Sequence, residues 1–411
     1  PAGADHTEAF RRAFDLVTAW GGGVVEIPPG VYRSAPLQLV SNLVLKFSKG
    51  ATLEAIPDMK TWPVVAPLES YGHGREGAKS ERREAFLYGD HLEHVRIIGD
   101  GGGVIDGSGK SWWDAKFKNR GRDFDQITLP SLIELRFSSH VEISGLRVQN
   151  SPLWTIHPYA CQHVVIRNLE IVNPVDVKNT DGVDPDSSED VLMENIVYTG
   201  GDDAVSIKSG WDCFGDERGF NKPSRNIVIR NFTVKATTSG AIAIGSEMSG
   251  GVEDVVVDGL RVEKAGSGGV LCIKTTAARG GYVRNVSLRH VRVGDVLGRT
   301  EALAAVYIAG KVGGWTPSKN PACETPPAHL PEVSGIELRD WRQMSGTRVH
   351  GPPVRIYGLE EGQIIRDLAM VHMCLEGEGP GLCTNADVTL NDVSFQGGGG
   401  WSKGKQRGES C

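Results

Sequence analysis

Three stretches of the chain concentrate carboxylates: Asn179-Thr-Asp-Gly-Val-Asp-Pro-Asp186, Gly200-Gly-Asp-Asp203, and the run that continues to Asp212. If Asp181, Asp202 and Asp203 meet on one face, their mutual repulsion raises at least one pKa. One group can then donate a proton while another stays ionised. Glycoside hydrolysis needs that pairing, an acid for the leaving oxygen and a base for water. Spacing alone leaves two other readings open. Asp accepts backbone hydrogen bonds at turns, and clustered carboxylates also suit a hard cation such as calcium.

A repeated phrase, polar-V-x-[IL]-x-x-[LIVF], supplies the elements that would bring these residues together. It reads His140-Val-Glu-Ile-Ser-Gly-Leu146, His163-Val-Val-Ile-Arg-Asn-Leu169, Asp190-Val-Leu-Met-Glu-Asn-Ile196, Asn226-Ile-Val-Ile-Arg-Asn-Phe232, Asp254-Val-Val-Val-Asp-Gly-Leu260 and Asn285-Val-Ser-Leu-Arg-His-Val291. Successive copies are 23, 27, 36, 28 and 31 residues apart, with looser copies near Ile364 and Asp387. Each copy alternates apolar and polar positions, the period of a half-buried strand. A second strand-like run follows several of them, at Trp154–His157, Ala204–Lys208, Ala241–Ile244 and Val270–Lys274. Two or three strands per repeat fit one coil of a parallel β-helix, whose core exists only when coils stack. Leucine-rich repeats and propeller blades fit poorly, since neither a fixed L-x-x-L-x-L pattern nor frequent hairpin turns occur.

The expected fold is therefore all-β, a single right-handed parallel β-helix over residues 1–411. Asp5 to Trp20 carries apolar residues at helical spacing and stops at Gly21-Gly-Gly23, which predicts a capping helix within 1–21 with Asp5 or Thr7 as N-cap. Residues 397–411 read as a Gly-rich, flexible tail. Parallel strands lie roughly 4.8 Å apart, so Asp181, one repeat before Asp202 and Asp203, would face them across neighbouring coils.

Composition narrows the partners. A net charge of −7 argues against nucleic acid, and no apolar run approaches the roughly 18 residues of a membrane span. Glycine is abundant, 53 of 411 residues, as many tight corners would require. The N-terminal residues from Pro1 show no basic-then-apolar signal pattern, as a trimmed form would also not, which leaves secretion open, and two sequons begin at Asn231 and Asn285. Seven cysteines show no C-x-x-C spacing, and their odd number leaves at least one unpaired. Cys161 and Cys272, inside strand-like runs, are expected as buried thiols. Cys374, Cys383 and Cys411 lie close enough in sequence for a local staple.

The order N-T-D (Asn179–Asp181), G-D-D (Gly201–Asp203) and I-K-T (Ile273–Thr275) resembles that of the polygalacturonases, the pectin-cleaving glycoside hydrolases of family 28. The likeness runs from Gly22 beyond Tyr282 and is nearest the plant-like branch, through Ser151–Pro158, Lys208–Asp212 and Gly245–Gly251. It implies a pectin-lyase-like solenoid and inverting hydrolysis of α-1,4-galacturonosyl or related linkages, with neither metal nor organic cofactor. By position Asp202 resembles the general acid, and Asp181 and Asp203 the pair that activates water. Lys274 resembles the lysine that binds the substrate carboxylate, and Asn179 a residue that orients the site. His157, Lys208 and Trp211 are candidates for the cleft wall, with a plain structural role equally open for each.

Two departures stand out. The family's G-H-G reads Ser239-Gly240-Ala241, as in the plant-like branch, and Gly72-His73-Gly74 lies too far upstream to replace it. The family's R-I-K reads Cys272-Ile273-Lys274, and a thiol cannot make the bidentate grip of an arginine on a uronate. The expected partner is an acidic pectin-like polysaccharide, the expected location extracellular or cell wall, the expected state a monomer. Loops at Tyr71–Arg83 and Cys213–Ser224 would close one end of the cleft, which leans towards exo action. The rival class is a binding or structural β-helix with little or no catalysis; a lyase on the same fold fits less well.

Overall fold

Each full copy of the repeated phrase becomes one long strand. Ser139–Gln149, Gln162–Val172, Glu189–Thr199, Ser224–Ala236, Val252–Ala265 and Tyr282–Val296 lie parallel and in sequence order within a 14-stranded sheet. The computed structural model describes residues 4–71, 82–118, 128–213, 215, 219–298, 304–310, 329–358, 365–396 and 401–403. The phrase's first apolar position forms an inward row, Val141, Val164, Val191, Ile227, Val255 and Val286, all buried. Each such side chain contributes roughly 1.5–3 kcal/mol relative to exposure, against the entropy of ordering it.

The polar positions of the phrase also have a physical cause. Its first residue is left-handed in every full copy (His140, His163, Asp190, Asn226, Asp254 and Asn285, φ 52 to 56°). Its sixth residue is too, at Gly145, Asn168, Asn195, Asn231, Gly259 and His290 (φ 48 to 78°). Glycine, Asn, Asp and His tolerate that region best, so the bends select the phrase. Side chains then bond from coil to coil, with Asn231 Nδ2 donating to Asn195 Oδ1 (3.3 Å) and Asn195 Nδ2 to Asn168 Oδ1 (3.1 Å).

A second set of shorter strands closes the coils. Leu37–Gln38, Leu87–Asp90, Ile133–Arg136 and Ile156–Tyr159 form one sheet. Val205–Ile207, Gly240–Ile244, Gly269–Lys274, Val306–Ala309, Val354–Tyr357, Gly381–Thr384 and Trp401–Lys403 form another. Residues 183–186 join the two only by isolated bridges, Ile156–Val183–Val205 and Tyr159–Asp186–Lys208. Pro185 has no N–H to give, which keeps this segment from a full ladder. Every strand pairing is parallel except Val64–Val65 with Arg82–Arg83, among the described residues. The connections wind right-handed, as parallel crossovers do.

Helix α1 (Thr7–Ala19) covers the first coil with Phe10, Phe14 and Val17. Its cap position is His6, not Asp5 or Thr7, although the Asp5 carboxylate accepts the Thr7 N–H (2.8 Å) as a capping oxygen does. Two coils escaped the phrase. Glu93–Asp106 is interrupted by an insertion that shifts register between Ser144 and Leu146, and Glu332–Gln343 begins its copy with Gly335. In the tail, Trp401–Lys403 pairs with Gly381–Cys383; the rest of 397–411 lies outside the described residues. No helix among the described residues is long and apolar enough to cross a membrane. Cys161, Cys272 and Cys374 are free thiols, the first two buried as expected, whereas Cys213 and Cys383 are disulfide-bonded.

Candidate active site

Two neighbouring turns build the site. One leaves the strand Gln162–Val172 and carries Asn179 to Asp181; the next leaves Glu189–Thr199 and carries Gly200 to Asp203. They touch closely. A side chain on Gly201 would place its Cβ 1.9 Å from the Val177 carbonyl oxygen, so only glycine fits there. The buried Tyr198 hydroxyl donates to the carbonyls of Thr180 (2.9 Å) and Asp202 (3.0 Å), pinning one turn to the other. From the following coil Thr237 donates to the Asp202 carbonyl and Thr238 to that of Gly201 (2.7 Å).

Carboxylate oxygens of Asp181, Asp202 and Asp203 then lie within 4.8 Å of one another. Asp181 and Asp203 are buried, while Asp202 is partly exposed. Their surroundings separate them. Burial and then the Asp203 charge push Asp202 above its ordinary value, against donors from Asn179 N (2.9 Å) and Asp203 N (2.9 Å). Burial, then the charges of Asp184 and Asp202, push Asp181 well above the usual carboxylate range. Burial acts on Asp203 too, but the Lys274 ammonium (3.0 Å from Oδ2), Ser239 Oγ (2.6 Å) and Gly240 N (2.9 Å) overcome it and hold the group below 3.8. Asp202 therefore holds its proton to higher pH than Asp203 does. The same three oxygens lie close enough together to share a cation, and Lys274 sets one positive charge against Asp203 there.

The expected residues divide. Asn179, at φ 61°, touches Asp202 through its N–H, and Lys274 touches Asp203. His157, Lys208 and Trp211 do not form an open wall: they are 1 %, 2 % and 6 % exposed. His157 lies between Glu134 (3.0 Å) and Asp186 (3.4 Å), and these carboxylates raise it to about 9 despite burial. Lys208 Nζ sits by Ser206 Oγ (3.0 Å), Asp184 and Glu247 (3.5 Å each), over the Trp154 ring. Trp211 stacks on the Arg279 guanidinium, which is paired with Asp212. Sequence reading missed Ser239 and Tyr198, whose partners Asp203 and Thr180 belong to other coils. The position of Ser239 in place of the missing histidine was the available signal. Gly72 to Gly74 and most of the Tyr71–Arg83 loop lie outside the described residues, as does part of Cys213–Ser224.

A sequence profile for glycosyl hydrolases family 28 matches residues 25–319. The chain belongs to this family. It is 35 % identical over 338 residues to a probable polygalacturonase of Vitis vinifera, covering 82 % of this chain and 65 % of that protein. The chain thus spans less than two thirds of that relative's length. Its structure resembles a hyperthermoactive exopolygalacturonase from Thermotoga maritima, with TM-score 0.73 and 27 % identity, over 96 % of this chain and 88 % of that one. It shares its fold with a Yersinia enterocolitica family 28 exopolygalacturonase, with TM-score 0.76 and 19 % identity over 98 % and 74 % of the two chains.

Proposed function

We propose that the protein hydrolyses α-1,4-galacturonosyl or related uronic-acid linkages of pectin-like polysaccharide, from a chain end and with inversion. The observation that carries this reading is the contrast between Asp202, pushed up by burial and the Asp203 charge, and Asp203, held down by Lys274, Ser239 and Gly240, with oxygens within 4.8 Å. Asp202 gives its proton to the glycosidic oxygen as the C1–O bond breaks. Asp203 takes a proton from the water whose oxygen forms the new bond to C1, with Asp181 fixing that water. Asp202 ends ionised and Asp203 protonated, and exchange with solvent restores both. Lys274 shares its charge between Asp203 and a substrate carboxylate, and Asn179 orients Asp202. His157, Lys208 and Trp211 act structurally, through Glu134 and Asp186, through Asp184 and Glu247, and through Arg279; the Lys208 charge also tempers the rise at Asp181.

Exo action is supported by the likeness to the Thermotoga maritima enzyme. An extracellular setting is supported by the bonded Cys213 and Cys383, since disulfides persist in oxidising compartments. Asn231 and Asn285 are exposed, but each amide donates within the coil ladder, to Asn195 and Asp254, which disfavours glycosylation there. We read the chain as one continuous solenoid domain that acts as a monomer and needs no cofactor.

One observation favours a second stereochemistry. Inverting hydrolases generally hold their carboxyls about 6.5–9.5 Å apart and retaining ones about 5–5.5 Å, and oxygens of this trio that lie within 4.8 Å of one another are nearer the retaining spacing. Direct attack by Asp203 on C1 is the retaining alternative. Proton NMR of homogalacturonan digestion decides: β-galacturonate as the first-formed anomer supports inversion, and the α anomer supports retention. Monomer as the first product supports exo action, mixed oligomers endo action, and no cleavage at all the binding reading.

A further inference from the structure

The outward face of the short-strand sheet carries a row in register: Asp184, Ser206, Ala243, Cys272, Tyr307 and Arg355. Val354 and Ile356 are buried in the core, so Arg355 and Tyr357 between and after them point outward. Of the lysines and arginines on the described strands of this face, Arg136 is held by Glu84 and Glu134, Lys208 by Asp184 and Glu247, and Lys274 by Asp203. Arg355 differs. Its Nε is buried without a hydrogen-bond partner, and among the described residues no ion pair engages its guanidinium. A buried guanidinium nitrogen left unpaired costs free energy that an anion at the site would recover.

We propose that Arg355 is a distal carboxylate-binding residue, taking a uronate several sugars from the scissile bond, with Tyr307 beside it and Tyr357 two residues on. The inference rests on the hydrolase reading above. At roughly 4.8 Å per strand, Arg355 lies about 10 Å along the stack from Cys272 and about 19 Å from the strand that follows Asp203. The arginine grip absent at Cys272 is thus supplied farther along the same row. Arginine's planar fork suits a carboxylate bidentately, and flanking tyrosines give a sugar ring an apolar face.

The test compares wild type, Arg355→Gln and Arg355→Lys on digalacturonate, hexagalacturonate and methyl-esterified hexagalacturonate, with melting temperatures measured alongside. Arg355→Gln should raise KM for hexagalacturonate roughly 10- to 100-fold with kcat nearly unchanged. It should leave digalacturonate cleavage as in wild type and erase the preference for free acid over ester, while Arg355→Lys keeps part of that preference. Equal losses on short, long and esterified substrates would mean a structural role and overturn the inference. So would a Gln variant indistinguishable from an active wild type, which leaves the hydrolase reading standing. Wild type that neither cleaves hexagalacturonate nor, as Asp202→Asn, binds it in calorimetry would sink both.

Discussion

In the long sheet Val141, Val164, Val191, Ile227, Val255 and Val286 follow one another in register, and like stacks on like. Along the two short-strand sheets and the segment bridging them the outward row reads Glu134, His157, Asp184, Ser206, Ala243, Cys272, Tyr307, Arg355, with no neighbouring pair alike. Both regions close on the same core. They differ in what the coil spacing is used for: repetition in the first, and the convergence of unlike groups in the second. The aspartate trio sits where repetition fails, at the Pro185 break and the Gly201 close approach.

The sharpest way to break this contrast is at the turn. Gly201→Ala would force a Cβ into the Val177 carbonyl and displace Asp202. Misplacement by about 1 Å costs on the order of 100-fold in rate, so kcat on homogalacturonan should fall at least that far. The β signal in circular dichroism should stay unchanged. A variant that keeps full kcat would show that turn contact does not set the site.

The converse substitution belongs in the long sheet. Ile229 is fully buried between Met193 and Val257 in its row. Ile229→Ala should lower stability by about 2–5 kcal/mol, read by urea unfolding, and leave kcat per folded molecule as in wild type. A large kcat loss in fully folded protein would mean that the two regions are not separable.

A smaller effect sharpens the electrostatics. Ser239→Ala removes a donor that favours ionised Asp203. The Asp203 pKa should therefore rise, and the acid limb of the kcat/KM profile should move up by roughly one to two pH units. The sign extends to folding. Asp203 sits below 3.8, so its contribution to stability is present above that pH and lost as pH falls through its folded value. An acid limb that stays in place would show that Ser239 does not tune this group.

The same contrast explains what could be read from the sequence. The long sheet was legible because each coil obeys one local rule: left-handed bends at positions such as Asp190 and Asn195 admit few residue types, and the apolar positions between them face inward. Glu93–Asp106 was missed where its insertion broke that rule. Asp181, Asp202 and Asp203 stood out because carboxylates are seldom clustered without cause. The settings of His157 and Lys208 did not stand out. Their partners Glu134, Asp186 and Glu247 lie 23 to 39 residues away on other coils, and only the stacking register brings them together. For the same reason Ser239 read as a lost histidine, whereas in space it is a donor to Asp203.

The most direct test of the central claim, that a protonated Asp202 works beside an ionised Asp203, is reducing-group release from homogalacturonan by wild type and Asp202→Asn. The variant keeps the shape and removes the transferable proton. With melting temperature matched to wild type, its rate should fall by about 100- to 10,000-fold, the scale of general acid catalysis. A folded Asp202→Asn protein that releases reducing groups at the wild-type rate would contradict the claim.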